Sequence, residues 1–166
     1  MIKEVVNKRN LQRAYEQVLR NKGSAGVDGM SVTELSEYLK ITREKIITEV
    51  CNGNHLPQPI LGEEIPKSNG KLRLLGIPTV MDRMLQQAVH QVIMPKFEFE
   101  FKQHSYGFRP NRNAQQAVQQ AQKNINEGYQ HIVDIDLQNF FDEVDHCILL
   151  QLLYRKVKCP LTLRLI

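Results

Sequence analysis

Apolar residues spaced three or four apart predict helices over most of the first hundred residues. This spacing runs through residues 2–21 and recurs in two further stretches between Ser31 and Gly53. It appears again after Thr79, a candidate N-cap, and Pro95 is expected to end that helix. The glycines of residues 21–31 separate the first two helices, so this segment is predicted to be a loop.

The pattern changes to extended segments in two places. Two apolar runs flank Ser68-Asn69-Gly70, and Asn-Gly between such runs is a strong hairpin signal. The alternating, β-branched residues 131–137 predict a strand that lies between two helices capped by Asn113 and Asp145. The predicted order is helices first, then a hairpin, then helices around one strand. This order indicates an α+β fold.

Residues 131–142 carry the most informative candidate chemistry. On the predicted strand, Asp134 and Asp136 share one face while the apolar residues between them pack inward. Two adjacent carboxylates favour a cation nearby, and Mg²⁺ prefers such oxygen ligands. Phe140 and Phe141 follow, where a metal-bound nucleotide is expected to lie. The alternative interpretation is a solvated strand end above a core.

Length and composition indicate a globular chain of 166 residues, enough for one domain or slightly more. The sequence has no run of about 18 apolar residues and no signal-peptide core at its N-terminus. Its three cysteines show no metal-binding spacing. These features predict a cytoplasmic protein that has no membrane partner.

The net charge of +4 is unevenly distributed. Residues 66–112 contain eight basic and three acidic residues, whereas residues 131–146 contain five acidic residues and no Lys or Arg. A basic segment leading to an acidic one is consistent with a polyanion track that ends at a metal site. Random clustering on a solvated surface is the alternative.

Four segments occur in an order that resembles bacterial group II intron-encoded reverse transcriptases. They are NKGSAGVDGMS (21–31), IPKSNGKLRLLGIPTVMDRMLQQAV (65–89), SYGFRPNRNAQQAV (105–118) and HIVDIDLQNFFDEVDH (131–146). The resemblance implies a right-hand polymerase fold. Residues 1–103 would form helix-rich fingers with a β-hairpin and an N-terminal extension, and residues 104–166 would form the first part of the palm.

The resemblance implies an RNA-directed DNA polymerase that uses two-metal nucleotidyl transfer, with a splicing or mobility role in the full-length protein. Asp136 matches the first catalytic aspartate, which binds Mg²⁺ with help from the backbone carbonyl of Leu137. Lys67 and Arg73 match residues that hold the incoming dNTP. Phe141 matches the steric gate against a ribose 2′-hydroxyl.

The resemblance also implies contacts with an RNA template paired to a DNA primer, and with group II intron RNA. The matching positions are Gly26 in a loop over the template, Ile77 and Pro78 against the templating base, and Arg83, Arg109 and Arg112 along template phosphates. For the three arginines, generic surface charge is an equal alternative.

The second acidic motif of the family, an aromatic-Ala-Asp-Asp hairpin, does not occur in these 166 residues. We therefore expect a fragment of a longer protein that does not extend primers alone and that forms a homodimer or larger species through exposed palm surface. A catalytically silent RNA-binding module is the main alternative. A nucleotide-sugar transferase is disfavoured because the first 130 residues predict helices and one hairpin.

Overall fold

A computed structural model of the chain describes residues 1–66, 70 and 72–166. This part of the chain forms seven helices and one two-stranded antiparallel sheet, which confirms the α+β class. In chain order, the elements are α1 (Ile2–Val5), α2 (Lys8–Asn21), α3 (Leu35–Asn52), β1 (Leu61–Pro66), β2 (Leu72–Ile77), α4 (Val80–Glu98), α5 (Ala114–Asn126), α6 (His146–Val157) and α7 (Pro160–Leu163).

The four helices α1–α4 enclose the main hydrophobic core, and we call them the helical body. Its fully buried members include Val5, Ala14, Leu35, Val50 and Ala88, which come from all four helices. Helix α2 contributes apolar residues at helical spacing and packs directly on α4. The burial of these side chains supplies the main driving force for this part of the fold.

A polar contact fixes α2 against α4 inside the helical body. The Asn10 side-chain amide donates hydrogen bonds of 2.9 Å to the Val5 carbonyl and 3.0 Å to the Ala88 carbonyl. Gln91 of α4 donates back to the Asn10 side-chain oxygen at 2.9 Å. Because these groups are partly buried, each hydrogen bond prevents the cost of an unsatisfied polar atom.

Helix starts were better predicted than helix interruptions and ends. The side chains of Thr79, Asn113 and Asp145 accept backbone amides at the starts of α4, α5 and α6, so these caps are confirmed. The predicted first helix is instead divided at Asn7, whose side chain accepts the Arg9 amide at 3.0 Å and begins α2. The two stretches predicted between Ser31 and Gly53 form the single helix α3.

Pro95 does not end α4, contrary to the prediction, because it lies in the final part of a helix that continues to Glu98. A proline there removes one backbone donor, and the remaining turn keeps its helical form. In the described part of the chain, no helix combines the length and the hydropathy that a membrane crossing requires.

The strand predicted for residues 131–137 is absent, so that prediction was wrong. This segment has no regular secondary structure, and Ile132, Val133 and Ile135 are each 81% exposed. A strand needs a neighbouring strand for its backbone hydrogen bonds, and the one sheet among the described residues consists of β1 and β2 alone. The expected inward packing of the apolar residues therefore does not occur.

Candidate functional site

The β-hairpin projects from the helical body. Every described residue of β1 and β2 is exposed except Ile77, which is buried at the end of β2. Arg73 pairs with Ile65 across the hairpin and, because side chains alternate along a strand, shares a face with Ile77. Arg73 thus lies on the same face of the hairpin as Ile77, the residue that is buried where the hairpin joins the helical body.

An open cleft of about 900 Å³ separates the hairpin from residues 135–142. One wall consists of the β2 residues Leu72, Arg73 and Leu74, and the other consists of Ile135, Asp136, Leu137, Asn139, Phe140, Phe141 and Asp142. Four of the predicted site residues therefore line one space: Arg73, Asp136, Leu137 and Phe141. Lys67, predicted to act with Arg73, lies outside the described residues.

The two walls of the cleft differ in charge. Arg73 supplies a guanidinium from the hairpin, and Asp136 and Asp142 supply carboxylates from the opposite side. Asp136 is solvent-exposed and is not sealed in an apolar interior. An arginine suits phosphate oxygens, whereas exposed carboxylates suit a hard cation, so this arrangement is suited to a metal-bound polyphosphate.

The cleft fits magnesium only if other molecules complete its coordination. Among the described residues, no group of three or more His, Cys, Asp or Glu side chains is arranged to hold a metal ion. Magnesium, however, is commonly bound through one or two carboxylates together with substrate phosphates and water. Asp136 and Asp142 are the carboxylates that line the wall opposite Arg73, so a magnesium ion there would take its remaining ligands from phosphate and water.

A turn after Asp136 carries two aromatic residues that line one wall of the cleft. The Asn139 carbonyl accepts the Asp142 amide at 3.0 Å, and Asn139 adopts a left-handed backbone conformation with φ of 51°. Phe140 and Phe141 pack edge to face, with ring centroids 5.5 Å apart. Phe141 is the more exposed ring, at 87%, so its surface is available to a ligand.

The glycine loop of residues 21–31 lies against the beginning of α4. A Cβ atom on Gly26 would come within 2.8 Å of the Thr79 backbone, so a side chain at this position would collide with it. Arg83 holds the same loop by donating a 2.7 Å hydrogen bond to the Ser24 carbonyl. Gly26 and Arg83 therefore lie in the same region, as predicted. The contacts that the structure shows for them are with Thr79 and Ser24 of the chain itself.

The remaining predicted template residues have mixed exposure. Ile77 is buried, at 8% exposure, whereas Pro78 is half-buried. Pro78 is therefore the more accessible of the two to a base. Arg112 lies over the ring of Tyr106, with the guanidinium carbon 5.4 Å from the ring centroid.

Arg109 is directed towards protein acceptors. Its side chain is 7% exposed and makes hydrogen bonds of 2.7 and 3.1 Å to one Glu98 carboxylate oxygen. It also donates to the carbonyls of Lys102 and Ser105 at 2.8 and 2.9 Å. These contacts attach the loop after α4 to the end of that helix, and the template contact predicted for Arg109 would have to compete with them.

A buried polar cluster at the base of the hairpin was missed by sequence reasoning. It contains Asp82, which is 5% exposed, together with His55, Thr79 and the backbone amide of Gln58. The local signal was the spacing of Thr79 and Asp82, which matches the start of a capped helix. No sequence signal pointed to His55, because it is distant from Asp82 in the sequence and follows α3, whereas Asp82 lies in α4.

The sequence also matches known proteins. Residues 65–165 match the family described as "Reverse transcriptase (RNA-dependent DNA polymerase)", which is more than half of the chain. The chain belongs to the reverse transcriptase family. The matched region contains both walls of the cleft.

Individual relatives of this chain extend the similarity towards the N-terminus. Protein YkfC of Escherichia coli (strain K12) is 34% identical over 153 residues, which cover 89% of this chain and 40% of YkfC. Group II intron-encoded protein LtrA of Lactococcus lactis subsp. cremoris is 33% identical over 146 residues, covering 87% of this chain and 24% of LtrA.

A third relative comes from a plant. Nuclear intron maturase 1, mitochondrial, of Arabidopsis thaliana is 30% identical over 128 residues, covering 75% of this chain and 16% of the maturase. The chain thus spans less than half the length of each of these relatives. The relationship to group II intron-encoded reverse transcriptases and maturases, predicted from four sequence segments, is confirmed.

Proposed function

We propose that the cleft between β2 and residues 135–142 binds a deoxynucleoside triphosphate with Mg²⁺, as part of a group II intron reverse transcriptase. The observation that carries this proposal is that Arg73 and Asp136 line opposite walls of one open cleft. Arg73 would hold the triphosphate by paired hydrogen bonds. The exposed ring of Phe141 would contact the sugar and leave no space for a 2′-hydroxyl.

Magnesium would be held by Asp136 and by the backbone carbonyl of Leu137, together with phosphate oxygens and water. When bound, it neutralises phosphate charge and lowers the pKa of an attacking hydroxyl, as in two-metal nucleotidyl transfer. The contribution of the chain itself is positioning. Asp136 fixes one side of the nucleotide, and Arg73 fixes the other.

In this proposal, residues 1–103 act as fingers and residues 104–166 as the first part of a palm in a right-hand polymerase. The full activity requires an RNA template and a DNA primer. It also requires further carboxylates, because the 166 residues contain no aromatic-Ala-Asp-Asp sequence. We therefore expect no primer extension by this chain alone. Group II intron RNA would be the partner in splicing or mobility.

Nucleotide binding by the purified chain tests the proposal directly. Mg²⁺ and dATP should bind saturably, and Arg73→Ala should weaken binding by about tenfold or more, since it removes charge-assisted hydrogen bonds. The matched control is Arg13→Ala, because Arg13 is exposed on α2 and does not line the cleft. Equal affinity of wild type and Arg73→Ala would contradict the proposal.

A catalytically silent RNA-binding module is the second candidate function. It is favoured by the excess of basic residues over residues 66–112. Binding of structured RNA through this segment should weaken steeply with salt, because condensed counterions are released. If nucleotide binding is the function, Arg73→Glu should reduce dATP affinity more than RNA affinity. Equal losses would favour the RNA-binding module.

A further inference from the structure

A buried carboxylate connects both ends of the hairpin to α4. Asp82 lies in the first turn of α4 and is 5% exposed. One of its oxygens, Oδ2, accepts a 3.0 Å hydrogen bond from the Gln58 amide and a 2.7 Å hydrogen bond from the Thr79 hydroxyl. Gln58 lies just before β1, and Thr79 lies just after β2. A single side chain therefore anchors the chain where it enters and where it leaves the hairpin.

The second oxygen of Asp82 faces the segment that follows α3. His55 Nε2 lies 3.4 Å from Asp82 Oδ1, and the His55 side chain is 13% exposed. The same segment begins after Gly53, which ends α3 in a left-handed conformation. Asp82 thus joins α3, the hairpin and α4 at one buried point.

Away from this base, the described residues of the hairpin have little contact with the helical body. All described residues of β1 and β2 except Ile77 are exposed, so the body of the hairpin is not buried against the helices. The orientation of the hairpin relative to the helical body must then be determined at the base of the hairpin, where Asp82, Gln58 and Thr79 meet. Arg73 is located farther out on β2, so a small rotation at the base moves its guanidinium by a larger distance.

We propose that Asp82 is a positioning residue, which fixes the base of the hairpin and thereby holds Arg73 over the cleft. This inference rests on the proposed nucleotide-binding function of that cleft. Asp82 itself does not line the cleft. Its effect on a bound triphosphate is therefore indirect and is transmitted through the hairpin.

The experiment compares Asp82→Ala with Asp82→Asn, using Mg²⁺ and dATP as the probe and the full 166-residue chain. Alanine removes the acceptor for the Gln58 amide and the Thr79 hydroxyl, so nucleotide affinity should fall by about tenfold. Asparagine keeps one oxygen for both donors and places an amide towards His55. It should therefore restore affinity to within about threefold of wild type.

Hydrogen exchange separates positioning from general unfolding. In Asp82→Ala, amides of residues 54–60 should exchange faster, whereas those of α2 should keep their protection. Arg73→Ala should lose affinity without any change in exchange at residues 54–60. Asp145→Ala is the matched control, because Asp145 caps α6 through the Ile148 amide and should leave both affinity and exchange at the hairpin unchanged.

Each outcome decides the inference. It is overturned if Asp82→Ala binds dATP as wild type does, if α2 loses protection together with residues 54–60, or if asparagine fails to restore affinity. If Asp82→Ala does not fold, Thr79→Val replaces it and should lose about threefold in affinity, and wild-type affinity of that variant overturns the inference. If Arg73→Ala loses nucleotide binding but the Asp82 variants do not, the positioning role of Asp82 is refuted and the proposed function of the cleft is not. Equal binding by wild type and Arg73→Ala refutes the proposed function as well.

Discussion

The helical body and residues 131–142 contain similar apolar side chains but bury them to different extents. Leu35 and Val50 of the helical body are fully buried, whereas Val133 is 81% exposed and Leu137 is 64% exposed. A helix satisfies most of its backbone hydrogen bonds internally, so α1–α4 need only each other to form a core. A strand requires another strand, and residues 131–137 have none beside them in the described chain.

This difference explains which features of the candidate site are independent of a sheet. Asp136 and Phe141 reach the cleft from an irregular segment and a turn, and Arg73 reaches it from a hairpin that forms its own hydrogen bonds. These three residues therefore line one cleft although residues 131–137 pair with no strand in the described chain. We infer that a neighbouring strand would mainly order residues 131–137 and reduce their exposed apolar surface.

The largest expected effect comes from matched leucines in the two regions. Leu35→Ala should lower the free energy of unfolding by about 2–5 kcal/mol, because it leaves a cavity in the core. Leu137→Ala should change it by less than about 0.5 kcal/mol, as expected for exposed positions. Urea denaturation followed by circular dichroism measures both. Similar losses in the two variants would mean that residues 131–142 are packed in solution.

A second comparison uses two asparagines. Asn10→Ala removes the amide that bonds to the Val5 and Ala88 carbonyls, and should cost about 1–3 kcal/mol of unfolding free energy. Asn124→Ala is the control, because Asn124 is exposed and accepts only a Gln120 side-chain amide among the described side-chain hydrogen bonds. A loss for Asn10→Ala as small as that for the control would contradict the assignment of this contact to the core.

Self-association should depend on residues 131–142. We propose that the exposed side chains of Ile132 and Ile135 promote homodimers at about tens of micromolar protein, because exposed apolar surface favours self-association. Ile132→Asp combined with Ile135→Asp should weaken the dimer by about tenfold or more, because a charged group would enter an apolar contact. Sedimentation velocity measures this change. A wild-type chain that sediments as a monomer would contradict the prediction.

The smallest expected effect concerns sugar selection. Phe141→Ala should leave the unfolding free energy nearly unchanged, because the ring is 87% exposed. It should reduce the preference for dATP over ATP by about tenfold or less, since the ring would no longer exclude the 2′-hydroxyl. Competition binding with the two nucleotides gives this ratio. Phe140→Ala is the control, and an equal change in both variants would contradict a specific role of Phe141.

Local patterns predicted the helix starts and the family, whereas long-range contacts needed the structure. Thr79 and Asn113 were identifiable as caps because a cap depends on residues only a few positions away. The pairing of Arg109 with Glu98 and of His55 with Asp82 depends on how distant segments meet. Residues 131–137 have strand-like alternation, but alternation cannot supply the neighbouring strand.

The candidate site itself was predictable in part. Pattern alone marked Asp136 as a metal-ligand candidate, and the resemblance to reverse transcriptases singled out Arg73 and Phe141. The structure adds that all three line one cleft, although their roles stay predictions. Asp142 was missed because nothing in its local sequence distinguishes it from other exposed acidic residues near Asp136.

The most direct test of the nucleotide site is an NMR titration of the ¹⁵N-labelled chain with dATP in the presence of Mg²⁺. The account predicts saturable amide shifts at Arg73 and at residues 135–142, with little change in α2. It also predicts that these shifts disappear in Asp136→Asn. Shifts confined to other surfaces, or no shifts at Arg73 and Asp136 at saturating nucleotide, would contradict the account.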